Sequence, residues 1–445
     1  MLFALRSVVF AERMRLGWRL VRAPGASVAE LHAHRTVRRD EQERRGVIAG
    51  FGVFCFSAVL TMTVSSQTSG SAAPSDSPAI RVATFNIWEL SREKLDQVDA
   101  TGAGCNVQLR GAAEIIQRVR PDILLINEID HDAGGSNVAL FQDRYLNVAQ
   151  RGQPPIHFAH TFFDAVNTGV PTGRDLDHDG SVAGAGDAYG FGAYPGQYGM
   201  AVLSRCPIDT DSARTFRHLA WYAMPGNLMP DGSDGKPNWY APQDARMLRL
   251  SSKSHWDVTV RVDGVMLHLL CSHPTPPIFD GDEDRNGRRN FDEIRFWADY
   301  LTGGAQGAYI VDDAGMRGPL PPDAPFVILG DMNADPDLDP SPYQMPAIRQ
   351  LLRHPRIIDP APSSAGGLMD DLPGPPTFRE RRTTTFGRID YVLPSRSIRV
   401  TGSGVFWPTP SDPLHDLVSD RARSSDHRLV WVDLTLPVNR AATHP

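Results

Sequence analysis

A set of polar side chains falls where apolar runs stop. Asn86 closes "IRVATFNIW" (80–88) and Glu128 closes "DILLINEID" (122–130). His273 follows "LHLLCS", and Asp331 and Asn333 follow "FVILG". Asp390 lies inside "RIDYVLP", and the pair Asp426–His427 precedes "LVWVDL". Taken singly, each reads as a turn residue or a cap. Together they put acids, amides and imidazoles at the rim of a core, where an unused polar group is costly. Strands lying side by side would bring these ends into one cleft.

The residue types have a joint chemistry. Glu128 with Asn86 and Asp426 offers hard oxygen ligands suited to Mg²⁺ or Mn²⁺. Asp331, oriented by Asn333, would take a proton from water held near that ion. Asp390 would hydrogen-bond one nitrogen of His427, fixing its tautomer and raising its pKa, so that the other nitrogen donates to a phosphate oxygen. His273 would donate to a second phosphate oxygen or protonate the leaving group. The sum is water attacking phosphorus, with a metal and two histidines neutralising the developing charge.

The elements that must position these residues alternate between strand and helix. Further strands are read in "YGMAVLSRCPI" (198–208), in "HWDVTVRVDGVMLHLLCSH" (255–273, a hairpin turning at Asp263–Gly264), and in "LVWVDLTL" (429–436). "LRGAAEIIQRVR" (109–120), stopped by Pro121, and "FDEIRFWADYL" (291–301) carry apolar residues at helical spacing. Many antiparallel-looking strands with a few helices predict an α+β class, packed sheets flanked by helices. One domain spanning 79–437 is expected, with a short tail at 438–445. The stretches 151–197, rich in Gly and Asp, and 226–254 are expected to be surface loops.

The ordered motifs "TFNIW", "NEID", "YGMAVLSR", "LLCSH", "GDMNADP", "RIDYVL" and "SSDHRLV" resemble the endonuclease/exonuclease/phosphatase superfamily of DNase-I-like phosphoesterases. The resemblance covers about 79–437 and implies a four-layer sandwich, two mainly antiparallel β-sheets covered by helices. It implies that Asn86 and Glu128 are the metal-site pair with Asp426 as a further ligand. It likewise implies that Asp331 and Asn333 activate water, that Asp390 and His427 form the phosphate-contacting pair, and that His273 is the second histidine. One departure is that the place two residues after Asn86, an acid in some family nucleases, holds Trp88, with Glu89 next.

Two acidic loops carry a second pattern. "DEDRNGRRNFDE" (282–293) fits the twelve-residue calcium loop, with Asp282, Asp284, Asn286 and Glu293 as candidate ligands. The alternative is an acidic turn whose Arg288, Arg289 and Asn290 reach the cleft and contact phosphate. "DLDHDG" (175–180) supplies Asp175, Asp177 and Asp179, with the next acid, Asp187, one place beyond the closing position. Ca²⁺ as a structural ion is the expectation there.

The first 73 residues have another character. Residues 1–45 hold ten Arg against five acids, 46–64 are nineteen uncharged, mostly apolar residues, and 65–73 are small and polar. This order of regions is that of an export signal, which implies a secreted, periplasmic or cell-surface protein; a retained membrane anchor is the alternative. The remainder of the chain has 35 bases against 47 acids, a formal charge of −12. Such a surface does not hold nucleic acid through nonspecific phosphate contacts. Basic character must come from Arg, since the chain has only three lysines. The three remaining cysteines, Cys105, Cys206 and Cys271, are too few for a disulfide framework.

The leading expectation is an exported, Mg²⁺-dependent phosphodiesterase. Its substrate would be a nucleic acid, a phospholipid head group or a small phosphate ester, and no protein partner is expected. The alternatives are a monoesterase acting on sugar or inositol phosphates and a non-catalytic, calcium-stabilised binding module on the same scaffold.

Overall fold

The unbroken apolar run of β8 (Phe326–Asp331) is explained by burial on both faces. Phe326 and Ile328 pack against Ile294, Phe296 and Trp297 of a long helix. Val327 and Leu329 point the other way, into a core shared with Val82, Phe85, Leu125 and Val430 of a second sheet. Side chains alternate along a strand, so Asp331 follows Val327 and Leu329 towards the seam between the sheets.

The computed structural model describes residues 79–230, 238–337, 343 and 345–437. The expected export segment at 1–73 and the tail at 438–445 lie outside the described residues. Two mixed sheets are present among them. The first has the strand order β10-β11-β1-β2-β4-β3, built from β1 (Ile80–Leu90), β2 (Ile123–Ile129), β3 (His160–Phe162), β4 (Gly199–Ser204), β10 (Arg399–Val405) and β11 (Val430–Thr435). The second runs β5-β6-β7-β8-β9, with β5 (Ile208–Thr215), β6 (His255–Val262), β7 (Val265–Ser272) and β9 (Asp390–Pro394). Each sheet contains one parallel pair, β1 with β2 and β7 with β8, and all its other pairings are antiparallel. The fold is thus the α+β sandwich expected, with sheets packed face to face and helices outside.

A helix makes each parallel crossover. Helix α1 (Val107–Val119) starts where the Asn106 side chain accepts from the Leu109 N–H, and ends at Arg120 in left-handed conformation before Pro121. Helix α2 (Arg285–Thr302) lies on the outer face of the second sheet through Phe296, Trp297 and Tyr300. Strand–helix–strand units present the carboxyl ends of their parallel strands on one side. Here those ends carry Asn86 and Glu128 in one sheet, and His273 and Asp331 in the other.

Two readings from sequence change. Residues 198–208 are not one strand. The chain leaves the first sheet after Ser204, passes Pro207 and enters the second as β5. The stretch 151–197 is not all loop, because His160–Phe162 pairs with β4 as an edge strand. The hairpin turns at Asp263–Gly264 as expected, both residues having positive φ as this tight turn demands.

Candidate active site

Backbone register brings the strand ends together. Thr84 of β1 lies opposite Val430 of β11, so the residues just before β11 stand beside Asn86; the Ser425 hydroxyl donates to the Asn86 carbonyl at 2.7 Å. In the other sheet Asp331 is directly opposite Asp390. Asn127, next to Glu128 on β2, ties the two sheets: its side-chain oxygen accepts from the Asp331 N–H at 3.3 Å and from the Thr84 hydroxyl at 3.3 Å. Nothing in "INEID" marked Asn127 for this role except its place beside the acid.

Glu128 owes its direction to an irregular backbone. The register of β2 shifts against both β1 and β4 around it, and its φ is +67°. A bulge of this kind re-aims a side chain at the cost of local strain. The carboxylate is then held by the Asn86 amide at 3.0 Å and the Glu89 N–H at 3.0 Å. Trp88, in the place of the absent acid, carries the cations of Lys94 and Arg421 over its ring, each 4.4 Å from the centroid.

Asp331 is 1% exposed and lies at the centre. Its Oδ2 accepts from the Asn86 amide at 3.1 Å and stands 3.4 Å from His273 Nε2 and 3.7 Å from His427 Nε2. Its Oδ1 accepts from the Asn333 N–H at 2.9 Å. Asn333 therefore orients Asp331 through its backbone, in left-handed conformation, while its side-chain amide donates to the Pro274 carbonyl at 3.1 Å. Burial pushes the Asp331 carboxyl up to about 7, against the pull of His427 and helped by the Asp390 charge. A carboxylate so placed suits proton transfer near neutrality.

The two histidines differ. Both Asp390 oxygens approach His427 Nδ1, at 2.9 and 3.1 Å. Burial alone would lower the His427 pKa, but Asp390 and Asp331 together hold it well above the usual imidazole range. His427 is therefore a cation with its Nε2 proton facing the cleft. His273 is held well below that range by burial, then by Lys253 and His427, and its Nδ1 has no hydrogen-bond partner. The 3.4 Å contact of His273 with Asp331 is thus made by a neutral ring and is not an ion pair. Lys253, absent from the sequence-based set, enters here; burial lowers its pKa, and the charges of Glu293, Glu128 and Asp331 oppose the fall.

Glu128 and Asp426 supply carboxylate oxygens, while Asn86 turns its amide nitrogen to Glu128 and Asp331 and its oxygen to the Trp88 N–H at 3.0 Å. Burial raises the Glu128 carboxyl and the neighbouring Asp426 charge adds to the rise; two carboxylates in a poorly hydrated rim are relieved by a cation between them, so this set fits a hard divalent ion. Asp331, Asp390 and His427 also present ligand atoms within 4.8 Å of one another. There, however, the His427 Nδ1 is committed to Asp390, which makes this a proton-holding group.

Several expectations are corrected. Residues 282–293 do not form a calcium loop, because α2 already begins at Arg285. Asp282 is exposed, and Asp284 caps the helix in left-handed conformation and accepts from the Tyr343 hydroxyl. The Asn286 amide donates to the Ile278 carbonyl. Glu293 is buried, its two oxygens accepting from the Ser252 and Thr275 N–H groups at 2.6 Å each. Arg288, Arg289 and Asn290 do not reach out as phosphate contacts. Arg289 donates to the carbonyls of Leu250, Tyr189 and Arg249, Asn290 to those of Thr275 and Met332, and buried Arg288 to that of Leu228. In the other loop Asp175, Asp177 and Asp187 do come within 4.8 Å of one another, whereas Asp179 turns to the Ser181 N–H. Asp187 already accepts from the Leu176 and Gly184 N–H groups, at 2.8 Å each.

Residues 83–427 match the Endonuclease/Exonuclease/phosphatase family. Among solved structures, the chain is similar to an endonuclease/exonuclease/phosphatase from Beutenbergia cavernae, at 19% identity over 82% of this chain and 74% of that one, with a TM-score of 0.46. It is similar to truncated TDP2 from Caenorhabditis elegans (14% identity, 80% and 97% covered, TM-score 0.40). The human Nocturnin catalytic domain with bound sulfate is a further similar structure (15%, 81% and 94%, TM-score 0.39). No curated protein matches the chain.

Proposed function

The chain belongs to the Endonuclease/Exonuclease/phosphatase family and is a metal-dependent phosphoesterase; from that premise we propose that it is an exported, Mg²⁺-dependent phosphodiesterase that hydrolyses its substrate by in-line attack of water. The observation that carries this reading is the convergence on Asp331 Oδ2 of Asn86, His273 and His427, the last held by Asp390. Glu128 and Asp426 would hold the ion, with Asn86 fixing the Glu128 carboxylate beside it; when bound, the ion would polarise the phosphoryl group and lower the pKa of water. Asp331 receives the proton of the attacking water. The Nε2–H of charged His427 donates to a non-bridging oxygen as negative charge grows there. Asn86 keeps Glu128 and Asp331 in fixed relation, since its amide donates to both. The acidic charge of the chain beyond residue 73 favours a small or head-group diester over a long nucleic acid.

The test is hydrolysis of bis-p-nitrophenyl phosphate by the purified protein with Mg²⁺, with EDTA, and as Asp331→Asn. The diester should be cleaved only with Mg²⁺, and turnover should fall about a thousandfold in the variant. Hydrolysis of p-nitrophenyl phosphate but not of the diester would make it a monoesterase, and cleavage of neither would leave a binding module. N-terminal sequencing of protein recovered outside the cytoplasm tests export; a start near residue 74 is expected, and an intact N-terminus in the membrane fraction would mean an anchor.

A further inference from the structure

Lys253 is one of three lysines in the chain, and its side chain is buried, with the residue 6% exposed. Its ammonium forms no hydrogen bond or ion pair with the described residues. An ammonium on a buried stem, with no hydrogen-bond partner and its nitrogen still open to solvent, is placed to take an anion from solution.

The backbone shows where that charge stands. His255 lies opposite Ser272 in the β6–β7 ladder, so the ladder carried one step further sets the residues around Lys253 beside His273. Glu293 of α2 clamps the two chains there, one oxygen on the Ser252 N–H and the other on the Thr275 N–H. On its far side the Lys253 carbonyl accepts from the Asn167 N–H at 2.9 Å, which pins the segment from the long insert. Burial lowers the Lys253 pKa, while the charges of Glu293, Glu128 and Asp331 favour its ammonium, and Lys253 in turn acts on His273. The ladder and the Glu293 clamp thus set Lys253 beside His273, on the second-sheet side of the cleft.

We propose that Lys253 is the second cationic contact for the phosphate, its ammonium meeting a non-bridging oxygen beside His273. This rests on the phosphoesterase reading above and deepens it. The cleft then holds two fixed cations, His427 from one sheet and Lys253 from the other. His273 is left free to serve the leaving group. A compact ammonium at the end of a pinned segment acts as a point charge on a phosphate oxygen.

The test uses the full-length protein as Lys253→Met, which keeps length and apolar bulk, and Lys253→Arg, which keeps charge. kcat/KM on bis-p-nitrophenyl phosphate should fall about a hundredfold in the Met variant and recover to within about tenfold in the Arg variant. The dissociation constant for inorganic phosphate, measured by calorimetry, should rise at least tenfold in the Met variant. The melting temperature of that variant should stay equal or rise, because a structural ion pair is not being removed. Unchanged phosphate affinity with kcat/KM within threefold of the parent would overturn the proposal while leaving the phosphoesterase reading intact. A lowered melting temperature with no recovery by Arg would make Lys253 structural. If the parent protein hydrolyses neither ester, the phosphate affinities alone decide the role of Lys253.

Discussion

At Gly330 the backbone of β8 passes so close to β7 that a Cβ would stand 2.0 Å from the Ser272 carbonyl oxygen. Its φ of +143° is a further reason that only glycine suits the position. Ser272 precedes His273 and Gly330 precedes Asp331, so this contact sets the spacing between the two strand ends that carry them. Gly330→Ala should cost about 3 kcal/mol or more through overpacking and strain. Turnover should fall more than the loss of folded protein explains, since the two side chains move apart. Thermal melts and kcat of the folded fraction measure both; an unchanged kcat would show that the strand spacing is not what aligns the site. At this scale the sequence was informative wherever a side chain ends a strand. Asp331 could be placed by parity along "FVILGD", and Asp390 with His427 by their chemistry. Lys253 could not be placed, because "LSSKSH" reads as a solvated loop and its burial depends on Glu293, forty residues away.

Helix α2 shows why local pattern misled. "DEDRNGRRNFDE" has the residue types of an ion-binding loop, yet the chain turns helical at Arg285, with the Asn286 N–H held by the Asp280 carboxylate at 2.7 Å. Tertiary packing of Phe296, Trp297 and Tyr300 overrides the poor helix propensity of Asn286 and Gly287. Glu293, assigned from its spacing to a cation, instead accepts two backbone N–H groups that belong to different segments. Glu293→Gln keeps one acceptor and turns the other into a donor facing an N–H, so about 2–3 kcal/mol of stability should be lost. Because Ser252 and Thr275 flank Lys253 and His273, KM for the diester should rise as well. A variant that loses stability with KM unchanged would confine Glu293 to holding the fold. In the insert, too, spacing predicted poorly: Asp187 joins Asp175 and Asp177 although it falls one place late, because backbone N–H groups of Leu176 and Gly184 draw it inward.

Over the whole molecule, a cleft that sets two cations among four carboxylates sits within an acidic body. The sheets meet where His427, Lys253 and the ion site lie, while the chain beyond residue 73 carries a formal charge of −12. A long polyanion is repelled before it reaches the cleft, and a small diester much less so. Added salt screens that repulsion, the Debye length falling from about 30 Å at 0.01 M to about 10 Å at 0.1 M. With free Mg²⁺ held constant, kcat/KM on duplex DNA should therefore rise over this range, while that on bis-p-nitrophenyl phosphate changes little. A steep fall with salt on DNA, as phosphate-binding basic nucleases show, would mean that a local basic surface outweighs the net charge. Packed sheets flanked by helices were legible from strand and hairpin signals, and the count of two came with the family resemblance. The passage of the chain between sheets at Ser204–Ile208 was not read, although Pro207 and the change from the buried run "GMAVLS" to the polar "IDTDSART" mark it.

Glu128 adopts a backbone angle of +67°, where a side chain is disfavoured, and it buries a carboxylate whose pKa is raised. Both conditions work against the folded state, and both would vanish if a glycine stood there. The position is thus one where natural selection for turnover and selection for robustness pull in opposite directions. A directed-evolution campaign scored on heat resistance alone would be expected to discard Glu128 early, and to deliver a sturdier protein that no longer turns over its substrate.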